Sequence, residues 1–305
     1  EQISAKNIVI ATGAKPKTFQ NVKIDGNYII GSKEALNLIE IPKKIIIVGS
    51  GAIGCEFAFY FNSFGAEVEI IEMQKRILPM EDSEISAALR DSFISSGIKI
   101  HNNSKVQSID KLKTKIKVNI AIESGNFQID GNLALLAVGV EGNINNIGLN
   151  GIGVESENGA IRINNNCQTN ISNIYAIGDV AGPPWLANKA SAQGHMVADL
   201  LCGKGIHEID YFNISNCTYC QPQVGSLGLT ESKAKDLGHN IKVGKFFFKA
   251  SGKAQAVGNT YGFVKLIFDE QYGELIGAHI IGDGATEMIA ELNIAKALES
   301  TWEDL

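Results

Sequence analysis

Apolar positions along the chain follow two rhythms, unbroken runs and helical spacing. Four consecutive apolar residues, Ile45, Ile46, Ile47 and Val48, predict a strand buried on both faces. A glycine cluster follows at 49–54, then a helical stretch, then Glu67, Val68, Glu69, Ile70 and Ile71 as a second strand. Beyond them Asp82, Ser83 and Glu84 cap a predicted helix with apolar positions Ile85, Leu89, Phe93 and Ile94, and Gly97 stops it. Residues 98–100 predict a third parallel strand, 106–109 and 116–122 alternate as antiparallel strands, and the apolar run 133–138 ends at Gly139. One α/β domain therefore closes over residues 43–142.

The flanking segments read less regularly. Residues 7–10 form a predicted short strand running into Ala11, Thr12 and Gly13, and the chain turns at Lys15 and Pro16. Ser32 caps an expected helix over 32–39, with Glu34 in its first turn. Strand patterns at 161–166 and 174–177 lead to Gly178, Asp179 and Val180, and 186–201 suits a helix ending at Gly203. An acid at the end of a strand is where open α/β sheets take ligands. From Cys217 onward, strands at 223–229, 242–249, 262–269 and 275–281 predict an antiparallel sheet. Helices start at Thr230 and at Thr286, the latter with Ile289, Leu292, Ile294 and Leu298 as apolar contacts, so this part is α+β.

The glycine cluster carries the chemistry. Gly49 permits a tight turn, Gly51 lets backbone approach a pyrophosphate, and Gly54 lets the helix pack close to the sheet. Glu72 ends the second strand where a carboxylate accepts hydrogen bonds from an adenosine ribose and repels a 2′-phosphate. The unit predicts NAD binding in a Rossmann-like domain, with Lys75 and Arg76 as solvated loop charges.

Composition narrows the partners. A formal net charge of −6 over 305 residues, without a basic stripe, argues against nucleic acid. No apolar stretch reaches 18 residues, so no membrane span is expected. Five cysteines, at 55, 167, 202, 217 and 220, lack a disulfide framework and point to a reducing, cytoplasmic setting. Cys217 and Cys220 have redox-motif spacing but lie in a predicted strand, which favours a structural pair.

Taken together, Ala11-Thr12-Gly13, residues 49–56, Glu72, Ala137-Val138-Gly139 and Tyr175 to Val180 resemble the flavin-dependent pyridine nucleotide-disulfide oxidoreductases. Motifs near the end narrow the resemblance to the dihydrolipoamide dehydrogenase family: Cys217-Thr218-Tyr219, Pro222-Gln223-Val224, Gly228 to Glu231, Gly262 to Lys265 and Gly273 to His279. That resemblance implies electrons passing from a protein-bound dihydrolipoyl group through a redox disulfide and FAD to NAD. It implies a Rossmann-like NAD domain inserted in a partial FAD domain (1–42 and 143–210), followed by an α+β dimerisation domain at 211–305. On the NAD side it places Gly49, Ser50, Gly51, Ala52, Ile53, Gly54, Cys55, Glu56, Glu72, Val106 and Gly139. On the FAD side it places Thr12, Gly13, Ala14, Asp179, Trp185, Leu186, Ala187 and Asn188. The implied partners are a lipoyl domain of a 2-oxoacid dehydrogenase or related complex and a second copy of the chain.

Two departures bear on activity. The family's first glycine motif with its CxxxxC redox pair is not in these residues, nor is its His and Glu acid–base pair. The natural chain is expected to extend at both ends, and residues 1–305 alone are expected to be inactive. The histidines at 101, 195, 207, 239 and 279 read as surface or packing residues. The stretch Val140, Glu141, Gly142 and Asn143 also departs from relatives that carry Arg and Pro there. The rival reading is a non-catalytic NAD-binding and dimerisation module. Glutathione reductase-like and mercuric reductase-like proteins are further alternatives, and Glu72 counts against the first.

Overall fold

The computed structural model describes residues 2–19, 22–205 and 208–305. They form two compact units, Glu1–Lys17 with Val140–Ile214, and Thr18–Gly139 with Ser215–Leu305.

In the larger unit a parallel sheet runs in the order Ile29–Ile30, Leu133–Leu136, Lys44–Val48, Glu67–Ile71, Lys99–His101. Its central strand is apolar and buried from Ile45 to Val48 because both faces are covered. Ile45 and Ile47 pack with Cys55, Ala58 and Phe61 of the helix Ala52–Ser63 and with Leu89 and Phe93 of the helix Ser83–Ser95. Ile46 and Val48 face the other way, against Val106, Val118 and Ile120 of a three-stranded antiparallel sheet. That sheet comprises Lys105–Lys111, Ile116–Ile122 and Gly125–Gly131. Its third strand carries apolar side chains only at Phe127 and Ile129, too sparse a pattern to betray it in the sequence.

Several expectations are corrected. The helix expected over 32–39 is one turn, Ser32–Ala35, and its cap is Gly31, whose N–H donates to the Glu34 carboxylate at 2.9 Å. Leu36 and Ile39 project into solvent, while Ala35 is buried in the core and Leu38 packs against it half-buried. Ile94 is 53% exposed, because Leu89 and Phe93 already fill the buried stripe of its helix.

The same unit contains a five-stranded antiparallel sheet in the order Asn216–Thr218, Gln223–Gly228, Leu275–Gly282, Gly262–Asp269, Ile241–Phe247. The helix Ala285–Ala297 covers one face through Ala285, Ile289, Leu292 and Ala295. Ile294 and Leu298, expected to add contacts there, are 63% and 74% exposed on the helix's outer face.

One buried cation ties this sheet to the parallel one. Lys265 is 1% exposed, and its Nζ lies 3.0 Å from Asp82, 2.8 Å from Glu84 and 2.7 Å from Glu231. Asp82 caps the helix Ser83–Ser95 by accepting the Glu84 N–H at 3.0 Å, and Glu231 opens the helix Glu231–Asp236. Helix N-termini favour anions, so the carboxylates sit where they stabilise helices as well as the lysine. Burial works to raise Asp82 and Glu84. The Glu84 N–H and Lys265 hold Asp82 below the usual carboxylate range, and Lys245 with Lys265 do so for Glu84. Lys235 and Lys265 lower Glu231.

The smaller unit pairs Ile8–Ile10 with Ile174–Ala176 in parallel and Ala14–Pro16 with Val140–Gly142 in antiparallel fashion. Lys15 and Pro16 thus lie in a strand, where a turn was expected. Of the strand expected over 161–166, only Ala160–Ile161 forms. The Asn164 side chain accepts the N–H groups of Asn166 and Gln168, both at 3.0 Å, and curls the chain away from strand geometry. The helix Ala187–Leu201 packs on the turn Gly178–Ala181.

Lys265→Met leaves the buried Asp82 carboxylate with backbone N–H donors but no cation, and urea unfolding at pH 7 should show a loss of about 3 kcal/mol. The depressed carboxylates stabilise the native chain above their unfolded pKa values of about 4, and that contribution is lost as pH falls through their lower folded values. In the variant, burial raises Asp82 instead. The stability gap should therefore narrow on acidification, and a small, pH-independent gap would show that the cluster contributes little.

Candidate functional site

The three glycines of the loop differ in what surrounds them. Gly49 has φ +97°, and a Cβ there would lie 2.4 Å from the Ala137 carbonyl oxygen. A Cβ on Gly54 would lie 2.1 Å from the Gly49 carbonyl oxygen. Gly51 is the N-cap of the helix Ala52–Ser63, and a Cβ there would meet nothing within 4 Å. Gly49 and Gly54 thus hold strand, loop and helix together, while Gly51 opens on a cavity of about 520 Å³. A helix start leaves backbone N–H groups without intrahelical partners, which makes this mouth suited to an anion.

Among the expected NAD-side residues, Gly49, Gly51, Glu72, Val106 and Gly139 line that cavity. Glu72 is 7% exposed, and its carboxylate is held at both oxygens. Oε2 accepts the Ser50 N–H at 2.8 Å and the Ser50 hydroxyl at 2.6 Å, and Oε1 accepts the Gln74 N–H at 2.7 Å. Ala52 and Ile53 are half-buried in the first helical turn and do not line the cavity.

Ser50, Gly54 and Cys55 are buried beneath the loop. The Cys55 thiol donates to the Ser50 carbonyl at 3.3 Å, and burial pushes it well above its usual range, so it packs beneath the site without lining it. Glu56 accepts the Tyr219 N–H at 2.9 Å, and burial raises its pKa despite that bond. Arg76 is braced, where free solvation was expected: its guanidinium donates to the carbonyls of Pro79 at 3.2 Å and Glu81 at 3.3 Å. Phe19, Val48, Ile71, Met73, Pro79, Ser104, Lys105 and Val138 complete the lining. Of these, Val48 and Ile71 stood in predicted strands and Val138 in the motif ending at Gly139, while Phe19, Met73, Ser104 and Lys105 had no signal in the sequence.

In the smaller unit the expected FAD-side residues occupy a strand end and two turns. Thr12 donates its hydroxyl to the Asn143 carbonyl at 2.9 Å, and the Asn143 side-chain amide donates to the Thr12 carbonyl at 2.9 Å. Gly13 has φ +70°, accepts the Asn143 N–H at 2.8 Å and has open space where a side chain would stand. Ala14 begins the strand Ala14–Pro16. Asp179 sits on the turn Gly178–Ala181, which is gripped from the helix Ala187–Leu201. The Gly178 N–H donates to Gln193 at 2.8 Å, and the buried Lys189 ammonium donates to the carbonyls of Gly178 at 3.0 Å and Gly182 at 2.5 Å. Leu186 caps that helix, Ala187 and Asn188 open it, and Trp185 just before them is 40% exposed. The open Gly13 and the polar strand end at Asp179 fit a ribityl and diphosphate group in kind.

All five cysteines are free. Burial pushes Cys220 up to about 12 and raises Cys217, so this spacing lacks the lowered thiol pKa that redox pairs need. His101 pairs with Glu69 and His239 with Asp269, each at 2.9 Å, while His279 is buried with Nε2 on the Leu229 carbonyl and His195 is exposed. His207 lies outside the described residues. Among the described residues no cluster suited to a metal ion occurs.

Comparison with known proteins bears on both units. A model of the pyridine nucleotide-disulphide oxidoreductase family matches residues 1–194, and a model of that family's dimerisation domain matches 214–305. The dihydrolipoyl dehydrogenase of Rhizobium etli is 44% identical over 99% of this chain and 63% of its own length. That of Bacillus subtilis is 39% identical over 99% of this chain and 65% of its own length. LpdA from Mycobacterium tuberculosis superposes with a TM-score of 0.90 at 25% identity, over 97% of this chain and 64% of that one. The HOCl-induced flavoprotein disulfide reductase RclA from Escherichia coli gives 0.89 at 26% identity, over 99% and 69%. The chain thus spans 63–65% of the length of these two curated relatives.

The glycines separate folding from binding. Gly51→Ala should cost less than about 1 kcal/mol, a cap effect, yet weaken dinucleotide binding at least about tenfold by placing a methyl group in the anion mouth. Gly54→Ala should cost about 1–3 kcal/mol through overpacking. Thermal unfolding paired with NADH fluorescence titration distinguishes them, and equal effects from both variants would contradict this geometry.

Proposed function

The chain belongs to the pyridine nucleotide-disulphide oxidoreductase family, and from that premise we propose that the protein is a dihydrolipoyl dehydrogenase using FAD and NAD. What supports the activity is that the likeness to curated dihydrolipoyl dehydrogenases runs over 99% of the chain, through the glycine-loop cavity and the five-stranded sheet alike. We read the chain as an NAD-binding domain at 43–142 inserted between two FAD-binding segments, 1–42 and 143–210, with an interface domain at 211–305.

The flavin, when bound, supplies the transfer of an electron pair between a dithiol and nicotinamide. The chain's own part is to bind and orient. Gly51 and the first N–H groups of its helix receive the pyrophosphate of NAD, Glu72 accepts from the adenosine ribose, and Val106 and Gly139 wall the same cavity. Thr12, Gly13, Ala14, Asp179 and residues 185–188 form the flavin side, with Asp179 accepting from the ribityl hydroxyls. None of the five buried or unpaired cysteines is assigned to the dithiol step.

The match to the dimerisation domain supports a homodimer, and the exposed Ile294 and Leu298 supply apolar surface for one. A lipoyl domain is the proposed electron donor. Among the described residues no helix is long and apolar enough to cross a membrane, and the free cysteines favour a cytoplasmic setting.

The test is a visible spectrum of the full-length protein, followed by anaerobic NADH and then lipoamide. A flavin band that bleaches with NADH and recovers with lipoamide is expected. A protein that binds NADH without flavin would favour the non-catalytic module, and bleaching by NADPH with recovery on glutathione disulfide would move it to another branch of the family.

A further inference from the structure

Ser50 is the residue between the first two glycines, and it is fully buried. Every polar atom it has is engaged. Its N–H and hydroxyl converge on Oε2 of Glu72 at 2.8 and 2.6 Å, and its carbonyl accepts the Leu78 N–H at 2.9 Å and the Cys55 thiol at 3.3 Å. A hydroxyl bond of 2.6 Å to a carboxylate is in the range of charge-assisted bonds, roughly twice as strong as neutral ones. The opposite oxygen takes the Gln74 N–H at 2.7 Å. Two N–H groups and one hydroxyl therefore fix the plane of the carboxylate and leave one of its roughly four lone-pair sites, on Oε1, open on a residue that lines the cavity.

We propose that Ser50 is a specificity-determining positioning residue, holding the Glu72 carboxylate in one orientation so that the site accepts a ribose diol and rejects a ribose 2′-phosphate. The inference rests on the reading of this cavity as the NAD site. Ser50 itself does not line the cavity; it acts through Glu72. Without the hydroxyl the carboxylate keeps two N–H donors but loses its shortest bond. It then turns more freely, which weakens acceptance of the diol and relaxes repulsion of phosphate.

The experiment is equilibrium titration of the full-length protein with NADH and, separately, NADPH, read by nucleotide fluorescence. Ser50→Ala should lower the NADH-to-NADPH affinity ratio by about tenfold, the size of one charge-assisted hydrogen bond less its compensation. Ser50→Gly, which keeps the N–H and adds no volume, should lower it similarly and serves if the alanine variant folds poorly. In a double-mutant cycle, Glu72→Gln should lower the ratio and Ser50→Ala should add little to it. Equal losses for both nucleotides, or additive effects in the cycle, would overturn the proposal and make Ser50 a packing residue only. A wild-type protein that binds neither nucleotide would remove the NAD reading first and this inference with it. A wild type that prefers NADH while both Ser50 variants keep its ratio would remove this inference alone.

Discussion

Where Gly49, Gly54 and Ala137 meet there is no room for a methyl group. Added Cβ atoms would stand 2.4 Å and 2.1 Å from carbonyl oxygens, distances that packed atoms do not adopt. Two strand ends and a helix start are thereby pressed together with backbone alone between them. The rest of the site follows from this contact. The N-cap Gly51 opens the helix start onto the cavity, Ser50 is forced underneath the loop, and from there it reaches Glu72 just past the end of the neighbouring strand. A larger residue at either glycine would lift the helix away and separate the anion mouth from the acid.

The wall of the cavity opposite the glycines depends on a second set of interactions. Residues 73–81 run from Glu72 to the capping residue Asp82, and Met73 and Pro79 face the cavity. At one end this segment is tied by Gln74 to Glu72 and by Leu78 to Ser50. In its middle Arg76 braces Pro79 and Glu81, and at the far end Asp82 is anchored by Lys265. The buried lysine of the five-stranded sheet is therefore also connected, through Asp82, to the segment that walls this cavity. A damaged cation at 265 would be felt in the cavity through Asp82, with no contact to any ligand.

How much of this was legible in the sequence depends on whether the signal was local. The strand Lys44–Val48 and the helix Ala52–Ser63 were plain, because an unbroken apolar run and a glycine cluster report their own environment. So was Glu72, whose place at a strand end follows from spacing. Burial of Cys55 was not, since a small thiol after a glycine motif suits the core and the site equally. The charges around Lys265 were invisible for a different reason. They join residues 82, 84, 231 and 265, which only tertiary structure brings together. Exposure of Ile94, Ile294 and Leu298 was misjudged because a helical stripe shows which residues share a face and leaves open how wide the covered part is.

Two lysines are fully buried, and their contrast separates a structural weld from a site. Burial disfavours the charge on both. At Lys265 three carboxylates outweigh it, so the ammonium is held more firmly than in water. At Lys189 burial prevails: the pKa is lowered, Asp179 and Cys167 compensate only partly, and the hydrogen bonds go to two backbone carbonyls. A cation placed so unfavourably persists when its geometry secures something else. Here it grips Gly178 and Gly182, the two ends of the turn that carries Asp179, while Gln193 one helical turn along takes the Gly178 N–H. The helix thus holds both backbone groups of Gly178, and the acid expected on the flavin side is presented from a turn that side chains have immobilised. Lys189 thus fixes backbone position around Asp179, whereas Lys265 joins three carboxylates at two helix starts.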